Sequence, residues 1–187
     1  MRPSRHDTLI VTERLVIAPA RNRDFADWSK LRARNREHLE KWEPRWPKDA
    51  STREDWGRRL KAWKKGWKDG HAFVFLIRRQ DNDRMIGGVS LTNVRSWPAS
   101  SASLGYWLGE KSEGHGYMAE SVGAICDWAF GTLQLHRIEA GTLASNLRSR
   151  KVLETNGFQE EGYARAYLEI AGKRRDHVLF GLVRPDS

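Results

Sequence analysis

At 187 residues, with 33 Lys and Arg against 24 Asp and Glu and a net charge of +9, the chain is long enough to bury about 70% of its unfolded surface as one domain. Its single cysteine, Cys126, excludes an internal disulfide, and no run approaches the roughly 18 apolar residues that a membrane span requires. The opening MRPSRHDTLI lacks a signal-peptide core, so the expectation is a single domain over 1–187 in the cytoplasm, with no membrane partner.

The charge is unevenly placed. Residues 1–68 hold 19 Lys and Arg against 10 Asp and Glu, together with six of the nine tryptophans. A basic, tryptophan-rich segment suits an anionic partner such as ribosomal RNA, although for a basic helix on its own a solvated face is the commoner explanation.

Residues 8–18 predict a strand pair or one bulged strand closed by Pro19, followed by an arginine-rich helix over Asp24–Arg34. The stretch 35–47 carries two prolines and reads as a turn or short helical piece entering a loop, whose Trp42 and Trp46 are candidates to line a pocket. From Ser51 to Lys68, Trp56, Leu60, Trp63 and Trp67 step by four, three and four onto one face of a basic helix. Core packing accounts for that stripe. Residues 71–79 and 84–92 form a hairpin around Asp81-Asn82-Asp83, and 96–103 is a loop.

The segment 102–131 combines a short strand (Ala102–Leu108), a glycine turn and a helix whose Met118, Val122, Ile125, Cys126, Ala129 and Phe130 recur at helical spacing. Gly114 and Gly116 therefore sit at a helix N-terminus. Unpaired N–H groups and the positive end of the macrodipole favour an anion there, and glycine leaves room for phosphate oxygens. Cys126 lies on the inner stripe as a packed thiol. A strand over 136–143 follows, then a short helix from about Asn146 to Asn156, closed by Gly157. The final hairpin, 158–170 with 174–183, turns at Ala171-Gly172-Lys173. The fold class is α/β (mixed α+β), with six or seven strands and about four helices.

Gly114-x-Gly116-x-x-Ala119 also fits a dinucleotide fingerprint, with Glu139 near the place of a ribose-binding acid. Three features oppose that reading. Residues 109–113 separate the strand from the first glycine, about 70 residues remain after it, and antiparallel hairpins flank it.

Glu113-Gly114-His115-Gly116-Tyr117-Met118 resembles the acyl-coenzyme A loop R/Q-G-x-G-x-G/A of the GNAT N-acetyltransferases, departing from it at Glu113 and Met118. Asn146-Leu147-Arg148-Ser149, Gly157-Phe158, Glu161-Gly162 and Arg175-Asp176-His177-Val178 are similar to the RimJ/RimL branch of that superfamily. Thr12-Glu13-Arg14-Leu15, Asn35-Arg36, Trp42-Glu43-Pro44 and EGYARAYLEIAGKRRDHV resemble the RimJ type in particular.

The resemblance implies a largely antiparallel sheet and a central strand splayed from its neighbour. It also implies direct transfer from acetyl-CoA to an amine, such as the N-terminal alanine of a small-subunit ribosomal protein, without a covalent enzyme intermediate. Backbone groups of Tyr106, Trp107 and Leu108 would pair with the pantetheine arm, and Gly114, His115, Gly116, Tyr117, Met118 and Ala119 would hold the pyrophosphate. The Leu108 N–H would stabilise the oxyanion. Ser149 matches the serine placed near the sulfur, and Asn146 the asparagine that contacts pantetheine, although Asn146 is also a natural helix cap.

Glu113 either points outward or leaves phosphate binding to backbone N–H groups and nearby cations. The position of the family's glutamate base carries Leu168, with Glu169 one residue away on the opposite face of a strand. The base is therefore open, and Glu43 is a candidate, with Trp42 and Trp46 beside it toward the acceptor. Other acceptors, a peptide, small amine or antibiotic, and a non-catalytic ribosome- or RNA-binding role are the competing readings. His115 is a cation or hydrogen-bond donor within the loop, or exposed. The six histidines show no metal-ligand spacing, and no metal is expected.

Overall fold

The computed structural model describes residue 4 and residues 8–185, so Arg2, Arg5 and His6 of the basic segment lie outside the described residues. Eight strands form one sheet among the described residues, in the order β1-β2-β3-β4-β5-β6-β8-β7. They are β1 (Ile10–Val11), β2 (Leu15–Pro19), β3 (Phe73–Arg79), β4 (Met85–Arg95), β5 (Ser101–Leu108), β6 (Arg137–Thr142), β7 (Gln159–Ile170) and β8 (Lys173–Val183). Every pairing is antiparallel except β5 with β6. The sheet has eight strands against the expected six or seven because, of the two readings of residues 8–18, the strand pair is the one that forms. The loop expected over 96–103 is shorter, since β4 continues to Arg95 and β5 begins at Ser101.

Among the described residues five α-helices accompany the sheet: α1 (Phe25–Arg34), α2 (Arg36–Leu39), α3 (Arg53–Asp69), α4 (Tyr117–Gly131) and α5 (Leu147–Thr155). The one beyond the expected four is α2, a single turn inside the stretch read as turn or short helix. Local chemistry sets the ends of α3. Thr52 caps it by accepting from Asp55 N at 3.2 Å, and Gly70 closes it at φ 75°, a left-handed conformation that glycine adopts without strain.

Strand alternation divides the core in two. Phe73, Phe75 and Ile77 enter the larger cluster with Val122, Ile125, Cys126 and Ala129 of α4, whereas Leu76 joins Trp28, Trp56 and Leu60 from α1 and α3. The tryptophan stripe is thus core: Trp56 is fully buried and lies edge-on to Trp63 at 5.6 Å. Burying each such large apolar side chain contributes about 1.5–3 kcal/mol. Among the described residues no helix is long and apolar enough to cross a membrane.

Candidate active site

The parallel pairing of β5 with β6 covers only Ser101↔Arg137, Ala102↔Ile138 and Ser103↔Glu139. Beyond Ser103 the strands part, and a cavity of about 1010 Å³ opens between them. Its wall includes Tyr106, Trp107 and Leu108 of β5, Gly141 and Thr142 of β6, Gly114 and Gly116, Asn146 just before α5 and Ser149 within it.

The register of β5 decides which of its backbone groups reach this gap. Gly109 N donates to Ile86 O at 2.9 Å, and Gly87 stands opposite Leu108 and Val89 opposite Tyr106. Hydrogen-bonded and non-hydrogen-bonded pairs alternate along an antiparallel ladder. The N–H and C=O groups of Tyr106 and Leu108 consequently turn away from β4 toward the split, while those of Trp107 face β4. Of the three expected positions, Trp107 therefore turns its amide away from the cavity, and its ring packs against the second core cluster.

Gly116 is the N-cap of α4, and both Gly114 and Gly116 hold φ +78°, the left-handed region. Beyond Gly114 a side chain would meet nothing within 4 Å, so the turn is open on that side. Tyr117, Met118 and Ala119 follow along the wall. The larger Met118 side chain turns into the core. His115 is exposed. Its side chain is not on the cavity wall; the ring stacks on Tyr117 at 5.6 Å, and Nδ1 lies 2.7 Å from Glu113 O.

Arg14 pins the turn from behind, donating Nη1 to His115 O at 2.9 Å and Nε to Glu120 at 2.7 Å. Burial pushes the Glu120 carboxyl up, but hydrogen bonds from Thr12 and Arg14 and the Arg14 charge outweigh it and hold the group below its ordinary range. Glu113 does not point outward. Its side chain is 21% exposed, and it receives His38 Nε2 at 2.8 Å and an ion pair from Arg148.

Asn146 and Ser149 are tied to one another and to β5. Asn146 Oδ1 caps α5 by accepting from Ser149 N at 3.1 Å. The Tyr106 hydroxyl lies 2.9 Å from Ser149 Oγ. Burial raises the Tyr106 phenol to about 12, a shift that the Ser149 hydrogen bond partly offsets, so it is neutral at physiological pH. Cys126 is likewise pushed up to about 12 by burial and by Asp127, which agrees with a packed, inert thiol.

On the opposite side of the cavity stand Trp42, Glu43, Pro44, Leu168, Ile170 and His177. The Glu43 side chain is half-buried. Arg32 grips both of its oxygens at 2.7 Å, and Trp46 Nε1 donates to Oε2 at 2.8 Å. Those occupied oxygens argue against Glu43 as a free base. Trp46 does not reach the wall; it is buried, with the Arg32 guanidinium 4.0 Å over its ring. The tip of the final hairpin seals this side, Ala171 N donating to Glu43 O at 2.9 Å.

Leu168 forms part of the wall and Glu169 does not, as strand alternation requires. Sequence reasoning missed Arg32, His38, Arg148 and the placement of His177. Only Arg32 left a sign, as a charge four residues after Trp28 on the buried stripe of α1. Among the described residues no group of three or more His, Cys, Asp or Glu is placed to hold a metal ion.

A family model described as acetyltransferase (GNAT) domain matches residues 14–159. The chain is 36% identical to the [ribosomal protein uS5]-alanine N-acetyltransferase of Escherichia coli K12 over 177 residues, 95% of this chain and 91% of that protein. The ribosomal-protein-S5-alanine acetyltransferase of Vibrio fischeri superposes with a TM-score of 0.90 at 33% identity, covering 96% of this chain and 98% of that one. RimJ of Mycobacterium smegmatis, in complex with CoA-disulfide, superposes at 0.86 with 33% identity, covering 92% of this chain and 85% of that one.

Proposed function

The chain belongs to the GNAT acetyltransferase family, and from that premise we propose that it transfers the acetyl group of acetyl-CoA to the N-terminal alanine of a small-subunit ribosomal protein in the cytoplasm. The observation that carries the reading is the split between β5 and β6, with a left-handed glycine turn and a helix N-terminus at one end of it. Residues 1–187 then act as one catalytic domain.

The site fits acetyl-CoA on its own terms. N–H groups at the start of α4, with Gly114 and Gly116, suit the pyrophosphate, and the open edge of Tyr106 and Leu108 suits the amides of the pantetheine arm. Asn146 holds the N-terminal end of α5 so that Ser149 faces the same cavity. In this reading acetyl-CoA supplies an activated acetyl thioester. The Leu108 N–H meets the negative charge that builds on the carbonyl oxygen, and the Ser149 hydroxyl donates to the departing sulfur. Trp42 flanks the acceptor's path, while Glu43 and Trp46 shape it through Arg32.

An α-amino group suits this chemistry better than a lysine. With a reference pKa near 7.7–8.0, roughly a tenth of it is neutral at pH 7, against almost none of a group near 10.4. Contact of the basic first third with ribosomal RNA is part of the same proposal. It rests on the charge excess of residues 1–68, which already counts the acidic partners in pairs such as Arg32–Glu43 and Arg58–Asp49.

The test is thiol release from acetyl-CoA with alanine-, serine- and lysine-initiated peptides, run beside the Gly116→Asp variant. Turnover of an alanine-initiated small-subunit peptide, with acetyl-CoA affinity lost in the variant, is expected. A left-handed residue other than glycine costs roughly 1–2 kcal/mol, which a folded domain tolerates. Unchanged affinity in a folded Gly116→Asp protein would remove the loop from the site.

A further inference from the structure

Among the described residues, the proton that leaves the acceptor has no free carboxylate on the acceptor side of the cavity: Glu169 is turned away and both oxygens of Glu43 are taken. His177 of β8 is 2% exposed yet contributes to the cavity wall. Its Nδ1 lies 2.9 Å from the carbonyl oxygen of Arg175. A carbonyl only accepts, so Nδ1 carries the hydrogen and Nε2 of the neutral ring keeps its lone pair. Nε2 has no hydrogen bond to a described residue, and it is absent from the sealed polar atoms that lack one, which are Arg32 Nε, Ser51 Oγ and Trp56 Nε1. That atom is therefore not sealed, in a residue that lies on the cavity wall.

Two neighbours fix the ring in place. Tyr167 of β7 meets it edge-on at 5.7 Å, and a side chain at Gly141 of β6 would come within 3.8 Å of His177 Cδ2. Gly141 lies two residues past Glu139, the last residue of β6 paired with β5, so His177 stands beside the split. We propose that His177 is the general base of the reaction, taking the proton of the acceptor's ammonium group through Nε2. This rests on the acetyl-transfer reading above.

The balance is simple. The ammonium gives one proton to Nε2, and the neutral amine forms the C–N bond as the C–S bond breaks. The nitrogen's second proton passes to Ser149 Oγ as that hydroxyl gives its own to the sulfur, so the serine ends neutral, and His177 returns its proton to water. The ionisable groups that bear on the ring are Tyr167 from β7, Arg175 on the same face of β8, and Glu139 on β6, which Arg95 and Arg137 hold. Farther along the wall are Glu43 with its Arg32, the Glu113–His38–Arg148 cluster, Lys151 and Tyr106.

The experiment compares wild type with His177→Gln from about pH 5 to about pH 9, using an alanine-initiated peptide, with acetyl-CoA affinity measured separately. In the variant, affinity and peptide KM are expected within about threefold of wild type, while kcat at neutral pH falls about 100-fold. The acidic limb of the wild-type profile is replaced by a rate that follows the free amine, and added imidazole restores part of it. A variant that keeps the wild-type kcat and acidic limb overturns the assignment. A wild type that acetylates none of the peptides overturns the acetyl-transfer reading instead. A second measurement needs no variant: nitrogen-15 spectra of the wild-type imidazole are expected to show hydrogen on Nδ1 at neutral pH, and a hydrogen on Nε2 there overturns the proposal.

Discussion

Tyr106 and Ser149 join the two sides of the split: the phenol oxygen lies 2.9 Å from Ser149 Oγ and 3.1 Å from the Ser149 carbonyl oxygen. The second bond survives removal of the serine hydroxyl, so position and chemistry at this site are separable. Ser149→Ala is expected to leave acetyl-CoA affinity near wild type and to lower kcat about 10- to 100-fold. Tyr106→Phe cuts both links between β5 and α5, costs about 1 kcal/mol of stability and weakens acetyl-CoA binding. Steady-state kinetics and denaturant titration of the two variants separate these effects, and a wild-type kcat in Ser149→Ala would deny the hydroxyl its role at the sulfur.

Arg32 is 6% exposed and meets Glu43 through two bonds, with Trp46 on one side and Trp107 4.9 Å from its guanidinium. Removing the carboxylate leaves a buried charge without its counter-ion. Glu43→Ala is therefore expected to lose about 3–5 kcal/mol, and the double variant Arg32→Met, Glu43→Leu to recover most of it. Equilibrium unfolding of both variants measures the difference. A stable Glu43→Ala protein that loses only kcat would return Glu43 to the role of base.

What could be read from the chain was local. The glycine turn and α4 follow from a periodicity within fifteen residues, and Leu168 on the wall with Glu169 off it follows from strand alternation. Long-range placement was not legible. That Arg32 reaches Glu43 depends on how the loop after α2 folds back on α1. That Leu108 and not Trp107 turns its amide to the gap depends on the parity of β4 against β5, which the Gly109 to Ile86 hydrogen bond sets. His177 shows no spacing that marks it, because its role depends on β8 lying next to β6 and on one carbonyl two residues away.

Cys126 provides a pH test of the core. Its thiol is raised by burial and by Asp127 from an ordinary value near 9 to about 12, so the folded state holds its proton where the unfolded chain has lost it. Stability then falls as pH rises from about 9 to about 12, by about 1.4 kcal/mol per unit from this group. Tyr106 adds to the loss between about 10 and about 12. Cys126→Ala is expected to lose less stability than wild type between pH 8 and about pH 11, with the gap opening only above about pH 9. Urea titration across that range reads the slope, and parallel slopes for the two proteins would show that the thiol does not titrate with folding.

Glu113 sits where the related loop pattern has Arg or Gln, and the structure shows how its charge is carried. His38 and Arg148 both bond to it, and Arg148 is 77% exposed at the mouth of the cavity. Two consequences of that cluster act on an incoming diphosphate: the carboxylate repels it, and the Arg148 cation and the His38 ring are held from it. Glu113→Gln removes the repulsion and frees both partners, so acetyl-CoA affinity is expected to rise by about 1 kcal/mol at low salt, with the gain shrinking as ionic strength increases. Arg148→Ala leaves the carboxylate with one partner and is expected to weaken binding under the same conditions. Calorimetric titration at two salt concentrations measures both. Weaker binding in Glu113→Gln would mean that the carboxylate serves the loop by fixing His38 and Arg148 in place, and that this positioning outweighs its charge.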